Sequence, residues 1–247
     1  MKSTNPIKQF EEEVRQNVNR LGENKKLKVL ALKFTIESLK NKYSYNFRWL
    51  GRPIIQHPQD IVALQEIIWD IKPDLIVETG IAHGGSLILS ASILELIGEK
   101  GRVIGIDIDI RKHNRSEIGR HPMMKRISMI ERSSTDPKVV AQVKKLAKGK
   151  KRVLVYLDSH HSHDHVLKEL ELYSPLVSKG SYIIVFDTIA EYLPKGIIVN
   201  RPWGKGNNPK TAVDEFLRTH KNFIADKEIE NKLLITCAPG GYLKRIR

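Results

Sequence analysis

The stretch that most restricts the fold of this chain is Asp74–Ser86, DLIVETGIAHGGS, in which an apolar run meets an acidic residue and then a glycine-rich turn. The run Leu75–Val77 has the length and composition of a strand that is buried on both faces. The glycines allow a tight turn that a ligand can approach closely, because glycine has no side chain. Ser86 is placed to cap a following helix. The pattern predicts a strand, turn and helix of the kind that binds nucleotides.

The spacing of this turn separates it from two common phosphate sites. Gly80, Gly84 and Gly85 follow G-x-x-x-G-G rather than the dinucleotide pattern G-x-G-x-x-G, and the Lys-Ser/Thr pair of a P-loop is missing. Glu78 would repel a phosphate, but it can accept hydrogen bonds from a cationic amine or a ribose hydroxyl. The same residues also fit an ordinary strand-to-helix turn with a solvated glutamate, and both interpretations stay open at this point.

From Asp74 onward, apolar strand patterns alternate with helical ones. Strands are predicted near 74–79, 102–107, 126–130, 153–157, 181–186, 222–226 and 232–238, and helices near 86–97, 136–147, 162–173 and 209–220. Such alternation predicts an α/β fold with a doubly wound, mostly parallel sheet, whose ligands bind at the carboxyl ends of the strands.

The residues before this region read as helices. Two polar helices are predicted around Pro6–Leu21 and Lys25–Lys40, and a third helix begins at Pro58. We predict that residues 1–50 form an N-terminal helical cap or oligomerisation segment and that residues 51–247 form the α/β domain. A homo-oligomer would then form through the N-terminal helices.

Composition limits the partners and the compartment. The net charge of +14 favours an anionic partner, but its densest group, Lys144–Arg152, reads as a solvated helix end, and aromatic residues make up only 6%. Nucleic acid is therefore not the expected partner. The single cysteine, Cys237, lies in the apolar run LLITCA and reads as a core residue. Without a signal core or a run of about 18 apolar residues, we predict a cytoplasmic protein with no transmembrane segment.

Three motifs together resemble a known superfamily. E-x-G in the turn and GRVIGIDID at 101–109 look like the cofactor half of a class I S-adenosylmethionine-dependent methyltransferase. The segment 157–188 and the closing NKLLITCAPGGYLKRIR are similar to the cephalosporin hydroxylase family, which includes sugar O-methyltransferases. The resemblance extends over about residues 48–247. It implies a Rossmann-like sheet of seven strands with one antiparallel strand near the C-terminus, S-adenosylmethionine as cofactor, and a role in polysaccharide biosynthesis.

Candidate cofactor ligands follow from the turn and from the next strand. Asp107 ends the strand RVIGID, where its carboxylate can accept both hydroxyls of a ribose. Asp109 points to the same side in extended geometry and stays an alternative. With the resemblance, the predicted cofactor-binding set is Glu78, Gly80, Ala82, Gly84, Ser86, Asp107 and Ser134.

A second acidic centre comes from Asp158 and Asp187, each at the end of a very apolar strand. Two carboxylates from neighbouring strand ends suit Mg²⁺ or another divalent cation. In the similar catechol O-methyltransferases these strand ends hold Mg²⁺, and the next residue is the third ligand, which implies Thr188 here. Many relatives in the cephalosporin hydroxylase family carry Glu-Asp where this chain has Phe186 and Asp187.

Four histidines, His160, His161, His163 and His165, follow Asp158 closely. His161 stands where the catechol enzymes have their catalytic lysine, which implies that it acts as general base, with Asp158 as its catalytic partner. The alternative is a transition-metal site that serves a hydroxylase or hydrolase. Because no histidine is followed two positions later by Asp or Glu, the sequence lacks the usual start of an Fe(II) facial triad.

Together with the resemblance, these residues imply an S-adenosylmethionine-dependent O-methyltransferase, assisted by a divalent metal, that acts on a hydroxyl of a saccharide or similar metabolite. Trp203, in the glycine-rich loop before the helix at 209–220, could stack on a sugar face or fill a core gap. A metal-dependent hydroxylase or hydrolase and a non-catalytic basic binding protein are the alternatives.

Overall fold

The structure is a computed structural model and describes residues 5–247. Its helices are α1 Pro6–Glu23, α2 Lys25–Lys40, α3 Pro58–Ile71, α4 Gly85–Ile97, α5 Lys112–Arg120, α6 Pro137–Ala147, α7 His163–Tyr173, α8 Pro209–Thr219 and α9 Lys227–Leu233. Its strands are β1 Phe47–Trp49, β2 Arg52–Ile54, β3 Leu75–Thr79, β4 Arg102–Asp107, β5 Ile127–Glu131, β6 Val153–Leu157, β7 Tyr182–Val185, β8 Phe223–Ala225 and β9 Tyr242–Arg245.

Seven strands form one sheet in the order β5-β4-β3-β6-β7-β9-β8. Among the first five strands in this order, β5, β4, β3, β6 and β7, each pair of neighbours is parallel. β9 runs antiparallel to both β7 and β8. The predicted doubly wound, mostly parallel α/β sheet is confirmed. The chain order reverses direction between β3 and β6, and the crevice outside such a switch point is where open α/β sheets bind ligands.

The central strands are apolar because both of their faces are covered. Ile76 on β3 belongs to a core shared with α3 and α4, whereas Leu75 and Val77 pack into a second core with α6, α7 and α8. β3, β6 and β7 are buried along their whole length. β3 and β6 also pair directly in parallel, so their carboxyl ends lie side by side.

The strand predicted near 232–238 is wrong. α9 ends at Leu233, and Leu234 adopts a positive φ of 58°, which turns the chain away from a strand. The hydroxyl of Thr236 and the backbone N–H of Cys237 then donate to the buried carboxylate of Asp60. This segment therefore satisfies its polar groups on one side chain, and the last strand forms later, at 242–245.

The N-terminal helices lead into the domain through a small hairpin. α1 packs along α9, and β1 pairs with β2 in an antiparallel hairpin whose turn contains the predicted boundary between residues 50 and 51. The first four residues of the predicted cap lie outside the described residues, and the division into cap and domain stays a prediction. Within residues 5–247, no helix combines the length and the apolar character needed to cross a membrane.

Candidate functional site

The carboxyl ends of the central strands open onto one cleft of about 1340 Å³. Seven of the predicted site residues line it: Gly80, Ala82, Asp107, Ser134, Asp158, His161 and Asp187. Glu78, Gly84, Ser86 and Thr188 lie outside its described lining. The cleft thus brings four of the seven predicted cofactor residues and two of the three predicted metal ligands together in one space.

The turn after β3 depends on glycine at two positions. Gly80 has φ 89°, and a Cβ added to it would lie 2.0 Å from the carbonyl oxygen of Asp158, so no side chain fits there. Gly84 has φ 80°, and a Cβ there would collide with the side chain of Ile118. The turn is therefore closely packed against the end of β6 and against α5.

The predicted helix cap is wrong. Gly84 occupies the N-cap position of α4 and has no side chain to make the capping bond. Ser86 lies inside the first turn of the helix instead, where its hydroxyl donates to Glu78. The Ser86 hydroxyl therefore links α4 to β3 and does not cap the start of the helix.

Glu78 lies beneath the turn and is 2% exposed. Burial raises its pKa to about 8, although the hydrogen bond from Ser86 opposes this shift. Its second oxygen, Oε2, has no hydrogen-bond partner among the described residues. An ionised carboxylate without a partner is costly in such surroundings, so the folded protein favours the protonated form below about pH 8.

Glu78→Gln should therefore change how stability depends on pH. The pKa of Glu78 in the folded protein, about 8, lies above its usual value of 4.5. The contribution of Glu78 to the free energy of unfolding is therefore fully present below pH 4.5 and is lost progressively as the pH rises to about 8. At about 1.4 kcal/mol per unit, the loss has an upper limit of about 5 kcal/mol. Thermal unfolding of the variant should be less sensitive to pH than that of the wild type between pH 5 and 8.5. Parallel curves would contradict this assignment.

Asp107 is held at the end of β4 by the turn itself. Its Oδ2 accepts the backbone N–H groups of Ile81 and Ala82, at 2.7 and 3.3 Å, and its Oδ1 accepts that of Asp109 at 3.1 Å. The carboxylate is partly exposed to the cleft, while Asp109 is exposed outside it. Asp107 therefore has a fixed orientation beside the turn.

Ser134 forms a neighbouring part of the cleft wall. It is almost fully buried, its carbonyl accepts the Tyr173 hydroxyl at 2.6 Å, and its Oγ lies 3.3 Å from Nε2 of His165. The same imidazole nitrogen lies 3.1 Å from the hydroxyl of Ser159 and 3.5 Å from a carboxylate oxygen of Glu169. His165 thus joins the loop after β5 to the loop after β6.

Asp158, His161 and Asp187 form what we call the carboxylate–imidazole cluster. One ligand atom from each lies within 4.8 Å of the others, close enough for one cation. Nε2 of His161 is 3.2 Å from Oδ2 of Asp187. Two carboxylates and an imidazole are donors that suit a divalent metal, so the residues present fit the predicted ion.

The electrostatic surroundings of the cluster also favour a cation. Burial, and then repulsion from Asp187 and from Glu78, Glu169 and Asp60 whenever these carboxyl groups are ionised, raise the pKa of Asp158 well above its usual range. A cation would relieve this repulsion. Asp187 has φ 56°, in the left-handed region that non-glycine residues seldom adopt. Aspartate is among the non-glycine residues that tolerate this conformation, and here it turns the chain from β7 into the short 3₁₀ helix at Thr188–Tyr192.

Thr188, the predicted third ligand, is engaged elsewhere. It is fully buried, and its hydroxyl donates to the carbonyl of Pro239 at 2.9 Å. Phe186, which precedes Asp187, packs into the core beside Tyr156. His161 is therefore the third potential ligand group at this point, and the assignment of Thr188 to a metal stays a prediction.

The four histidines after β6 have different partners. His163 contacts Thr211 and Glu215 on α8, and His165 contacts Ser159 and Glu169. His160 and His161 both contact Trp203, with ring centroids 5.0 and 5.1 Å apart. The imidazoles do not converge on one ion, which argues against the hydroxylase or hydrolase alternative.

One wall of the cleft was missed by sequence reasoning. It consists of apolar residues from the N-terminal region and from the loop after β7, among them Leu39, Ile55, Leu193 and Ile197–Val199. Trp203 closes this wall beside the histidines, and the guanidinium of Arg201 lies 5.2 Å from its ring centroid. The run IIV at 197–199 was the available signal.

Comparison with known proteins identifies relatives over most of the chain. The family model described as Rhamnosyl O-methyltransferase/CmcI matches residues 41–246. A rhamnosyl O-methyltransferase of Mycobacterium bovis is 35% identical over 193 residues, which cover 75% of this chain and 73% of the relative. The Mycobacterium leprae rhamnosyl O-methyltransferase is 30% identical over 201 residues, with 80% and 82% covered.

Solved structures agree with the fold. CmcI with Mg and SAM has a TM-score of 0.58 and 19% identity, covering 82% of this chain and 78% of CmcI. An O-methyltransferase from Bacillus cereus in complex with SAH has a TM-score of 0.52 and 16% identity, covering 78% and 80%. At these identities the similarity supports the architecture alone.

Proposed function

The chain belongs to the rhamnosyl O-methyltransferase/CmcI family, and we propose that it is an S-adenosylmethionine-dependent O-methyltransferase. Its acceptor is a saccharide hydroxyl, and a divalent cation assists the transfer. The observation that carries the proposal is the single cleft in which the glycine turn and Asp107 lie beside the carboxylate–imidazole cluster. A cofactor held at the turn would bring its methyl group close to an acceptor at the cluster. Positioning of this kind supplies much of the rate in transfer reactions.

The direct test is methyl transfer itself. Purified protein should bind S-adenosylmethionine in calorimetry and should move its labelled methyl group to a saccharide from a panel that includes rhamnosides. Addition of a chelator should reduce turnover without removing cofactor binding. Binding of the cofactor with no transfer to any saccharide in the panel would favour a different acceptor class.

The cofactor end of the cleft is proposed to use Asp107, Ser134 and the backbone of the turn. Asp107 is partly exposed to the cleft and rigidly oriented, as a ribose ligand must be. Glu78 is buried and does not line the cleft, so its proposed role in cofactor binding is indirect and acts through the turn that lies above it. The cofactor supplies an electrophilic methyl group on a sulfonium.

Asp107→Ala should weaken S-adenosylmethionine binding at least tenfold, which corresponds to about 1.4 kcal/mol. The change removes the proposed ribose ligand together with the anchor of the Ile81 and Ala82 amides. Asp109→Ala is the matched control, because the Asp109 carboxylate is exposed outside the cleft lining and its backbone N–H is kept. Gly80 is a poor probe, since any Cβ would strike the Asp158 carbonyl. If calorimetry shows that both variants bind S-adenosylmethionine like the wild type, the ribose is bound by other residues.

The metal end is proposed to use Asp158 and Asp187 as ligands and His161 as the general base. A bound divalent cation would orient the acceptor hydroxyl and lower its pKa. His161 would take the hydroxyl proton on Nε2, which already lies at the cluster. A solved structure of CmcI, a member of the family, is described as containing Mg and SAM, which supports the use of a divalent cation here.

The apolar wall and Trp203 are proposed to receive the rest of the acceptor. An aromatic ring beside two imidazoles offers a face on which the apolar side of a sugar can stack.

Two further proposals concern the whole protein. Exposed apolar residues on α1 and α2, including Phe10 and Phe34, support a homo-oligomer through these helices. The buried, unpaired Cys237 is consistent with a reducing, cytoplasmic setting.

A further inference from the structure

Gln56 is a buried polar residue that belongs to no motif. It lies in the short segment between β2 and α3, and it is 3% exposed. The strand that leads into this segment is closely packed, since a Cβ on Gly85 of α4 would lie 2.3 Å from the carbonyl oxygen of Pro53 in β2. Gln56 therefore follows a strand that is held against the start of α4, and its own side chain is buried.

Both ends of the Gln56 amide have partners. Its Nε2 lies 3.4 Å from Oδ2 of Asp158, and its Oε1 accepts the thiol of Cys237 at 3.2 Å. When Asp158 holds a cation it is ionised and can only accept hydrogen bonds, so the amide must then present its NH₂ group to this carboxylate. That orientation leaves Oε1 for the thiol, and both contacts agree with it.

Cys237 is itself fixed from below. Its backbone N–H donates to Oδ2 of Asp60 at 2.9 Å, and the same buried carboxylate accepts the hydroxyl of Tyr242 at 2.7 Å. A continuous hydrogen-bonded chain therefore runs from Asp60 through Cys237 and Gln56 to Asp158. Every member of this chain except Asp158 is buried.

We infer that Gln56 is a positioning residue that holds the Asp158 carboxylate in the orientation used to bind a divalent cation. The inference rests on the proposed role of Asp158 as a metal ligand. Groups that hydrogen-bond to metal ligands fix the ligand orientation, and their loss typically lowers metal affinity by 10- to 100-fold. The Gln56 contact is long, so the lower end of that range is expected.

The test is Gln56→Met, which keeps the length and approximate volume of the side chain but removes both hydrogen bonds. Mn²⁺ is titrated into the protein, and free Mn²⁺ is followed by its electron paramagnetic resonance signal. We expect about tenfold weaker Mn²⁺ binding and unchanged S-adenosylmethionine affinity, which also shows that the variant is folded. Gln59→Met is the matched control: it changes the same residue type in the first turn of α3, where Gln59 makes no side-chain hydrogen bond within residues 5–247.

If Gln56→Met does not fold, Cys237→Ala replaces it as the test variant, because it removes only the hydrogen bond to Oε1 of Gln56 and leaves the contact with Asp158. A smaller loss of Mn²⁺ affinity is then expected. Equal Mn²⁺ affinity in the wild type and in a folded variant would overturn the role of Gln56 alone. A wild-type protein that binds no Mn²⁺ would overturn the proposed metal site, and this inference with it. The two failures are therefore distinguishable.

Discussion

Asp158→Asn and Asp187→Asn are each expected to abolish metal-dependent methyl transfer and to leave S-adenosylmethionine affinity within about twofold of the wild type. Each change removes one of the two carboxylates of the cluster, and an amide is a much weaker ligand for a hard cation. The cofactor end of the cleft uses different groups, so its affinity should persist. Turnover with and without a chelator, together with calorimetry for the cofactor, gives both measurements.

Asparagine is a suitable replacement at both positions because it removes the carboxylate without disturbing the fold. Asp187 has φ 56°, and asparagine is among the residues that tolerate this conformation best. Burial, and then the neighbouring carboxyl groups, disfavour the ionised form of Asp158 by raising its pKa. Removing its charge should therefore leave the metal-free protein at least as stable as the wild type. Loss of activity with an undiminished melting temperature would separate a functional effect from unfolding.

Asp164→Asn is the matched control, because Asp164 also lines the cleft but lies outside the carboxylate–imidazole cluster. Its turnover and its response to the chelator should resemble those of the wild type. Full activity of Asp158→Asn in the presence of the chelator would contradict a metal-assisted mechanism.

The sheet could be predicted from the sequence because its central strands are covered on both faces. Runs such as VLVYL at 153–157 are apolar throughout and end in a carboxylate, so both the strand and the position of Asp158 are visible locally. Parallel strands place their carboxyl ends at one edge, which brings Asp107, Asp158 and Asp187 together. Local pattern and global topology agree at these positions.

The errors arose where a distant side chain decided the local structure. The run LLITCA at 233–238 has the composition of a strand, but its polar groups bond to Asp60, which lies more than 170 residues earlier in the chain. Gln56 was missed for the same reason, since its partners are Asp158 and Cys237. Ser86 has the identity of a cap, yet a buried glutamate on β3 takes its hydroxyl. No local pattern contains such long-range partners.

The second large effect is expected from His161→Ala, which should lower kcat by about 10²- to 10⁴-fold, the usual contribution of a positioned general base. His161 is the imidazole that reaches the cluster, with Nε2 3.2 Å from Asp187. Cofactor affinity should stay near normal, because His161 lies at the metal end of the cleft. Steady-state kinetics with saturating cofactor measures the change in kcat.

Two comparisons decide what His161 does. His163→Ala should cost much less activity, because His163 faces Thr211 and Glu215 on α8; the opposite ranking would assign the base to His163. A base and a metal ligand also differ in Mn²⁺ affinity, which His161→Ala should leave within about threefold if the residue only accepts a proton, whereas loss of a ligand costs tenfold or more. Because free imidazole can both accept a proton and bind a divalent cation, the Mn²⁺ titration, rather than rescue by added imidazole, separates the two roles.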